Sequence, residues 1–282
     1  MEDKMAVKLL TDSATDISAK EAEELGITML PMTITFGEEE YLDGVNLFPQ
    51  DFYNKLASNK ELPKTSQVNE YTFEGAFERL TANGDEVVAI TISSRLSGTY
   101  NGACNAAEKF NGKVYVIDSL SATVGERHLC TCALELIKAG KSAKEIAMAL
   151  EEAKQKLKVF AMIDTLKYLK LGGRLSGAEA VLGTLLSIKP VVEIIDGEVK
   201  NIGKVMGFNK AIGFLNDKIK ELGVDYDMPH AYIFSGNDET NIKKYMSASS
   251  HLFEEGTPAY CLGGTIGTHI GPGAVGVAFF AK

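Results

Sequence analysis

Four polar clusters interrupt otherwise apolar stretches of this 282-residue sequence: Thr65-Ser66, Ser93 to Thr99, Gly172-Gly173-Arg174, and the run from Thr265 to Gly273. The last places His269 in a Gly-rich turn between two apolar segments, and its glycines free the backbone for close approach to something. The other histidines, His128, His230 and His251, occupy ordinary helix or strand-edge contexts and read as surface or satisfied residues. The Ser93–Thr99 run carries four hydroxyls, more than a helix cap needs. Serine hydrolysis would need a nucleophile, a base and an orienting acid, and Ser97 or Ser94, His269, and Asp12 or Asp118 supply the types. The segment Ser94-Arg95-Leu96-Ser97-Gly98 nevertheless lacks the GxSxG elbow that exposes such a nucleophile. A phosphate or nucleotide enzyme is a further reading, through Gly172-Gly173-Arg174 and the Ser/Gly loops, but neither GxxxxGK[ST] nor GxGxxG is present. Glu38-Glu39-Glu40 has no His or Cys beside it and reads as a solvated turn rather than a metal site.

The elements that would hold these clusters alternate between strand and helix in the first half. Val7–Thr11, Val87–Ile92 and Lys113–Ile117 are short apolar runs of the kind that parallel strands buried on both faces require. They end in Asp12-Ser13, Ser93-Ser94 and Asp118-Ser119, so one sheet edge gathers polar residues where such folds bind ligands. Helices are predicted at Ala19–Leu25, capped by Ser18 with Glu21, and at Asp51–Leu56, Val68–Leu80, Ser97–Ala107, Val124–Lys138 and Ser142–Leu157. Ile27–Phe36 reads as one extended segment, an edge or irregular strand, because Pro31 cannot donate to a ladder. Past Leu157 the pattern changes. Strands are predicted at Val159–Ile163, Ala231–Phe234, Ala259–Leu262 and Val275–Ala281, and Asp196-Gly197 joins Pro190–Ile195 to Val199–Val205 as a hairpin. Helices are expected at Thr165–Leu171, Gly177–Ser187, Phe208–Leu222 and Asn241–Phe253. The fold class is therefore α/β with two domains. Residues 1–157 form a parallel-sheet α/β/α unit and residues 158–282 a mixed-sheet two-layer α/β unit.

Composition narrows the function classes. With 45% hydrophobic and 24% charged residues the chain is globular, not disordered. A net charge of −9 disfavours nucleic acid as a partner. No apolar run reaches membrane-spanning length, so no integral membrane segment is expected, and contact with a membrane would be transient. The charged start Met1-Glu2-Asp3-Lys4 lacks a signal peptide's apolar core, which points to the cytoplasm. Cys104, Cys130, Cys132 and Cys261 form no CxxC pair and read as reduced, mostly buried thiols.

Taken together, Thr65-Ser66-Gln67, Ser93-Ser94-Arg95-Leu96-Ser97-Gly98-Thr99-Tyr100, Asp118-Ser119, Gly172-Gly173-Arg174 and Thr268-His269-Ile270-Gly271-Pro272-Gly273-Ala274 resemble the signature blocks of the DegV family, in order and over essentially the whole chain. That family comprises bacterial fatty-acid-binding proteins, among them the binding subunits of fatty acid kinase. The resemblance implies a two-domain α/β fold with a long-chain fatty acid buried between the domains. It also implies a carboxylate held by Thr65, Ser97 and His269, with Ser66 and Gly98 beside them, Arg174 near the same mouth, and Ser93, Ser94 and Thr268 as a surrounding layer. No catalytic residue, metal or cofactor is implied. The partners would be the fatty acid and a separate fatty acid kinase that phosphorylates its exposed carboxylate. This sequence departs from the family pattern at Val68, where a proline is usual, at Arg127, where a glycine is usual, and at Lys204-Val205-Met206-Gly207-Phe208, which lacks the usual arginine.

The chemistry agrees with that implication. An alkyl tail needs only apolar surroundings and gains ~0.8 kcal/mol per methylene, or on the order of 11 kcal/mol for about fourteen methylenes before ordering costs. The apolar helix Gly177–Ser187 is a plausible wall for it. A carboxylate stripped of water needs donors, and hydroxyls, helix-start N–H groups and an imidazole supply them without any general base or covalent intermediate.

Overall fold

The computed structural model describes residues 6–176 and 187–282. The first half runs β1 (Val7–Asp12), α1 (Ala19–Leu25), β2 (Ile27–Leu30), β3 (Thr33–Phe36), β4 (Glu39–Leu42), α2 (Pro49–Ser58), β5 (Lys64–Ser66), α3 (Glu70–Thr81), β6 (Glu86–Thr91), α4 (Thr99–Ala107), β7 (Val114–Asp118), α5 (Thr123–Lys138) and α6 (Ala143–Lys156). The second runs β8 (Leu157–Met162), α7 (Lys167–Leu171), β9 (Ile188–Ile195), β10 (Glu198–Met206), α8 (Phe208–Leu222), β11 (Ala231–Phe234), α9 (Thr240–Ala248), β12 (Ala259–Cys261), α10 (Gly264–Ile270) and β13 (Val275–Phe280).

The runs read as doubly buried strands form a parallel sheet in the order β2-β1-β6-β7. Along β6, Val87 and Ala89 face Phe73, Phe77 and Ala103 of α3 and α4, while Val88 and Ile90 face Leu129, Ile146 and Leu150 of α5 and α6. Helices on both sides explain why the strand shows no polar alternation. The second sheet is mixed, in the order β10-β9-β8-β13-β11-β12, with β11 and β12 parallel and the other pairs antiparallel. On one face, Phe160, Met162, Val191, Val277 and Phe279 pack on α8 and α9. The opposite face presents Val159, Ala161, Val192 and Ile233 toward α10 and the start of α5. Asp196 and Gly197 both take positive φ, 53° and 81°, which is the turn a two-residue hairpin needs.

Several expectations are corrected. Ile27–Phe36 is not one strand: Pro31 and Met32 break it, β2 joins the parallel sheet, and β3 becomes the centre of a small sheet in the order β4-β3-β5. The acidic turn continues into β4, because Tyr41 and Leu42 pair back onto Ile34 and Thr33. Thr65 and Ser66 lie in β5, a strand that sequence reading does not assign. The helix predicted at Asn241–Phe253 ends at Ala248. Of the four free cysteines only Cys130 is fully buried. The helix expected over 177–187 falls almost wholly outside the described residues.

Candidate functional site

His269 does not sit in a turn. It lies in the last turn of α10, whose glycines permit a close approach rather than a loop: an added Cβ at Gly264 would stand 2.9 Å from Phe52 Cδ2, and one at Gly267 2.8 Å from Tyr53 Oη. Glycine is a poor helix former, so this helix exists through packing and not through propensity. Its C-terminal end meets β5, where His269 Nε2 is 2.9 Å from Thr65 Oγ1.

The other polar clusters close around this pair. Gly172, at the end of α7, is the seat of the imidazole: a Cβ there would overlap His269 Nδ1 and stand 3.0 Å from Cε1. Arg174 donates to the carbonyl of Gly172 and, through Nε at 3.2 Å, to the carbonyl of Leu96. Ser97 follows Leu96. Its Oγ accepts the Thr99 N–H at 3.2 Å and lies 2.9 Å from Thr99 Oγ1, while the Val68 N–H, just past β5, reaches Thr99 Oγ1 at 3.4 Å. Thr65, Ser97, Arg174 and His269 thus belong to one continuous cluster built from separate chain segments, with the exposed Ser66 and Gln67 at its rim.

That cluster opens on a cavity of about 400 Å³ between the two large sheets. Its apolar walls are Met32, Ile92, Leu96 and Ala122 from the first half, Val159, Ala161, Leu169, Val192, Ile194, Val199 and Ile233 from the second sheet and α7, and Leu262, Ile266 and Ile270 around α10. For scale, a dry apolar cavity of about 150 Å³ accepts benzene.

The expected site residues divide cleanly. Thr65, Ser66, Ser97, Gly98, Arg174 and His269 all line the cavity. Ser93, Ser94 and Thr268 do not. Ser93 Oγ donates to the Gly197 carbonyl at 2.7 Å and ties the hairpin turn to the end of β6, Ser94 N–H donates to Asp118, and Thr268 Oγ1 donates back to Gly264 within α10. One residue that sequence reading does not single out also belongs here: the amide of Gln67 covers Gly98 closely enough that a Cβ at Gly98 would overlap it. Gln67 stands inside a motif quoted above, so its spacing is the signal that could flag it. Thr99, one of the four hydroxyls of the Ser93–Thr99 run, is fully buried and orients Ser97.

Burial, and after it the positive Arg174, push His269 down to about 4, so its imidazole is neutral near pH 7. Nδ1 is buried without a hydrogen-bond partner. The proton therefore belongs on Nε2, where Thr65 Oγ1 can accept it, because a buried unpaired N–H costs more than a bare lone pair. Thr65 then keeps its own O–H to offer outward. Ser97 is in the same position if Thr99 donates to it. No serine–histidine pair forms, since the partner of Ser97 is Thr99 and that of His269 is Thr65. The hydrolase alternative using Ser97 and His269 has no geometric support. No cluster of His, Cys, Asp and Glu among the described residues is arranged to hold a metal, and no described helix is long and apolar enough to cross a membrane.

The Gly-Gly-Arg segment yields a paired prediction. Gly172 has φ −75°, which alanine adopts freely, so Gly172→Ala acts mainly on the imidazole seat, with the Tyr168 carbonyl 3.2 Å from the added Cβ. Gly173 has φ 70° and open space around it, so Gly173→Ala strains only the backbone. We expect Gly172→Ala to weaken binding of an anionic ligand about tenfold with little change in melting temperature. Gly173→Ala should cost about 1 kcal/mol of stability and leave affinity nearly unchanged. Titration of both variants beside thermal melts checks this, and equal effects on affinity would refute the seat.

Comparison with known proteins bears on what the cavity holds. Residues 6–282 match a family model described as "Uncharacterised protein, DegV family". A DegV domain-containing protein of Deinococcus radiodurans is 32% identical over 275 residues, covering 97% of this chain and 98% of that one. A solved Thermus thermophilus structure, described as fatty acid binding of a DegV family protein, superposes with TM-score 0.88 at 29% identity, covering 99% of this chain and 100% of that one. An Eubacterium ventriosum protein described as stearic acid-binding superposes with TM-score 0.82 at 26% identity, covering 98% of each chain.

Proposed function

This chain belongs to the DegV family, and from that premise we propose that it is a carrier which buries the tail of a long-chain fatty acid between its two large sheets and holds the carboxylate at Thr65, Ser97 and His269. The observation that carries the reading is the junction of a ~400 Å³ apolar cavity with one cluster of hydroxyls, a neutral imidazole and a guanidinium. The tail contributes affinity through apolar burial, and the cluster offsets the cost of desolvating the charge. Thr65 and Ser97 donate O–H groups, with His269 behind Thr65 and Thr99 behind Ser97 fixing the direction in which each points. Arg174 lies close enough to add positive charge, though its Nε and one Nη are already committed to carbonyls.

We further propose that Ser66 and Gly98 frame the mouth, that the chain divides into domains 1–157 and 158–282, and that the protein works in the cytoplasm without turnover of its own. Because Ser66 and Gln67 at the cluster are exposed, the carboxylate end would remain reachable while the tail stays buried. That is the geometry a separate fatty acid kinase would need for acyl-phosphate formation.

Organic extraction of purified, folded protein followed by mass spectrometry tests the central claim. We expect about one long-chain fatty acid per chain, since so much buried apolar surface implies slow release. Folded protein that yields no lipid and binds none on addition would overturn it.

A further inference from the structure

His269 is carried by a seven-residue, glycine-rich helix, and the other end of that helix is held in an unusual way. Three consecutive backbone N–H groups at its start are each taken by a carboxylate from the opposite end of the chain. Gly263 N–H donates to Asp16 Oδ1 at 2.7 Å, Gly264 N–H to Asp43 Oδ1 at 3.1 Å, and Thr265 N–H to Asp43 Oδ2 at 3.1 Å. Both acids are themselves braced. Asp16 Oδ2 accepts the Thr123 hydroxyl at 2.6 Å, and Asp43 Oδ2 accepts the Ser13 hydroxyl at 3.3 Å. Ser13 is in turn fixed by the Met32 N–H at 3.0 Å.

An ordinary helix start would use one local Ser, Thr, Asp or Asn to cap one or two of these donors. The residue here is Gly263, which has no side chain to cap with, and two remote acids replace it. Burial is complete at Asp43 and opposes ionisation there, so the arrangement is costly as mere stabilisation. What it achieves is placement. A helix with four glycine or threonine residues in seven has little stiffness of its own, so the azimuth and depth of its last turn are set by what grips its first. Negative charge at the start also complements the helix dipole, whose other end carries His269.

We propose that Asp43, with Asp16, is a positioning residue for His269: it clamps the start of α10 so that the imidazole meets Thr65 and the head-group cluster keeps its shape. The clamp joins the segments that follow β1 and β4 in the first half to a helix of the second half. This inference rests on the reading of His269 as part of a carboxylate site. Asp43 touches no ligand and has no catalytic role.

The test compares a long-chain fatty acid with its methyl ester, which keeps the tail but has no charge. Asp43→Asn replaces one acceptor oxygen by an NH₂ facing an N–H. Asp16→Asn keeps its acceptor toward Gly263 and lets its amide donate to Thr123. We expect Asp43→Asn to weaken acid binding about tenfold and ester binding less than about twofold, as His269→Ala should, while Asp16→Asn stays within about twofold for both. Ser13→Ala, which removes one brace from Asp43, gives a smaller loss with the same acid-over-ester bias and serves if Asp43→Asn does not fold. Equal losses for acid and ester, or none, overturn the proposal. Wild-type protein that binds neither overturns the carrier reading instead. The clamp is then read from the His269 imidazole in ¹⁵N-labelled protein: a changed tautomer or titration in Asp43→Asn supports it, and an unchanged signal refutes it.

Discussion

Ala161→Phe should remove fatty-acid binding altogether while leaving a folded protein. Ala161 sits on β8, next to the central strand of the mixed sheet, paired with Val192 on one side and Gly276 on the other, and it faces the cavity. A benzyl group there projects into the space the tail would fill. Excluding even four methylenes forfeits ~3 kcal/mol, so affinity should fall by at least about a hundredfold. Overpacking a filled core typically costs about 1–3 kcal/mol, but here the added ring enters open volume, and its packing against Ile266 and Ile233 offsets part of that cost. The head-group cluster is untouched, so the variant separates tail from head: lipid extraction should yield nothing, and added fatty acid should no longer raise the melting temperature. In the wild type that rise corresponds to about 4 kcal/mol at a thousandfold excess over Kd. A folded Ala161→Phe protein that still carries one fatty acid would show that the tail lies elsewhere.

The contrast between head and tail also explains what could be read from residue order. The parallel sheet was legible because strands buried on both faces must be apolar throughout, as Val87 to Ile90 are, and the hairpin because Asp196-Gly197 is nearly diagnostic of its turn. The polar cluster proposed to hold the head group was legible because hydroxyls and one histidine are conspicuous among apolar runs. The tail cavity was not. Its walls come from β8, β9, β10, β11, α7 and α10 as well as the first half, and no window of sequence distinguishes Ala161, which faces the cavity, from Phe160, which faces α8 and α9. Helix α10 reads as a turn for a related reason. Gly264, Gly267 and Gly271 signal a turn locally, and only Phe52, Tyr53 and Tyr168 packed against them make the helix the better state. Likewise β5, at three residues, is too short to show alternation and exists through its pairing with β3.

Four buried acids of the first half give the fold an unusual dependence on pH. Burial pushes both Asp12 and Asp16 up to about 7 from an ordinary value of 3.8, and raises Asp43 and Glu126 as well. A carboxyl whose folded value lies above its unfolded value adds stability that is complete below about 3.8 and is lost as pH rises toward 7. His128 and His269 work the other way. Burial pushes both down to about 4 from 6.5, so their contribution is complete above 6.5 and is lost as pH falls toward 4. Asp12 and Asp16 are shifted further than the two histidines, so the net expectation is a melting temperature higher near pH 5.5 than near pH 8. Asp16→Asn isolates one contributor. It preserves the hydrogen bonds to Gly263 and Thr123, tolerates the φ of 58°, and abolishes the cost of a buried charge. Ionising Asp16 in the folded chain costs on the order of 4 kcal/mol, of which we expect about 2–4 kcal/mol to be recovered at pH 8 and almost none at pH 4. Denaturant unfolding at several pH values measures this directly, and a variant no more stable than wild type at pH 8 would mean that Asp16 stays ionised at little cost. A gain would show that the chain keeps a destabilising acid where Asn would hold the helix as well. That is the pattern expected where an acid is retained for its titration rather than for stability.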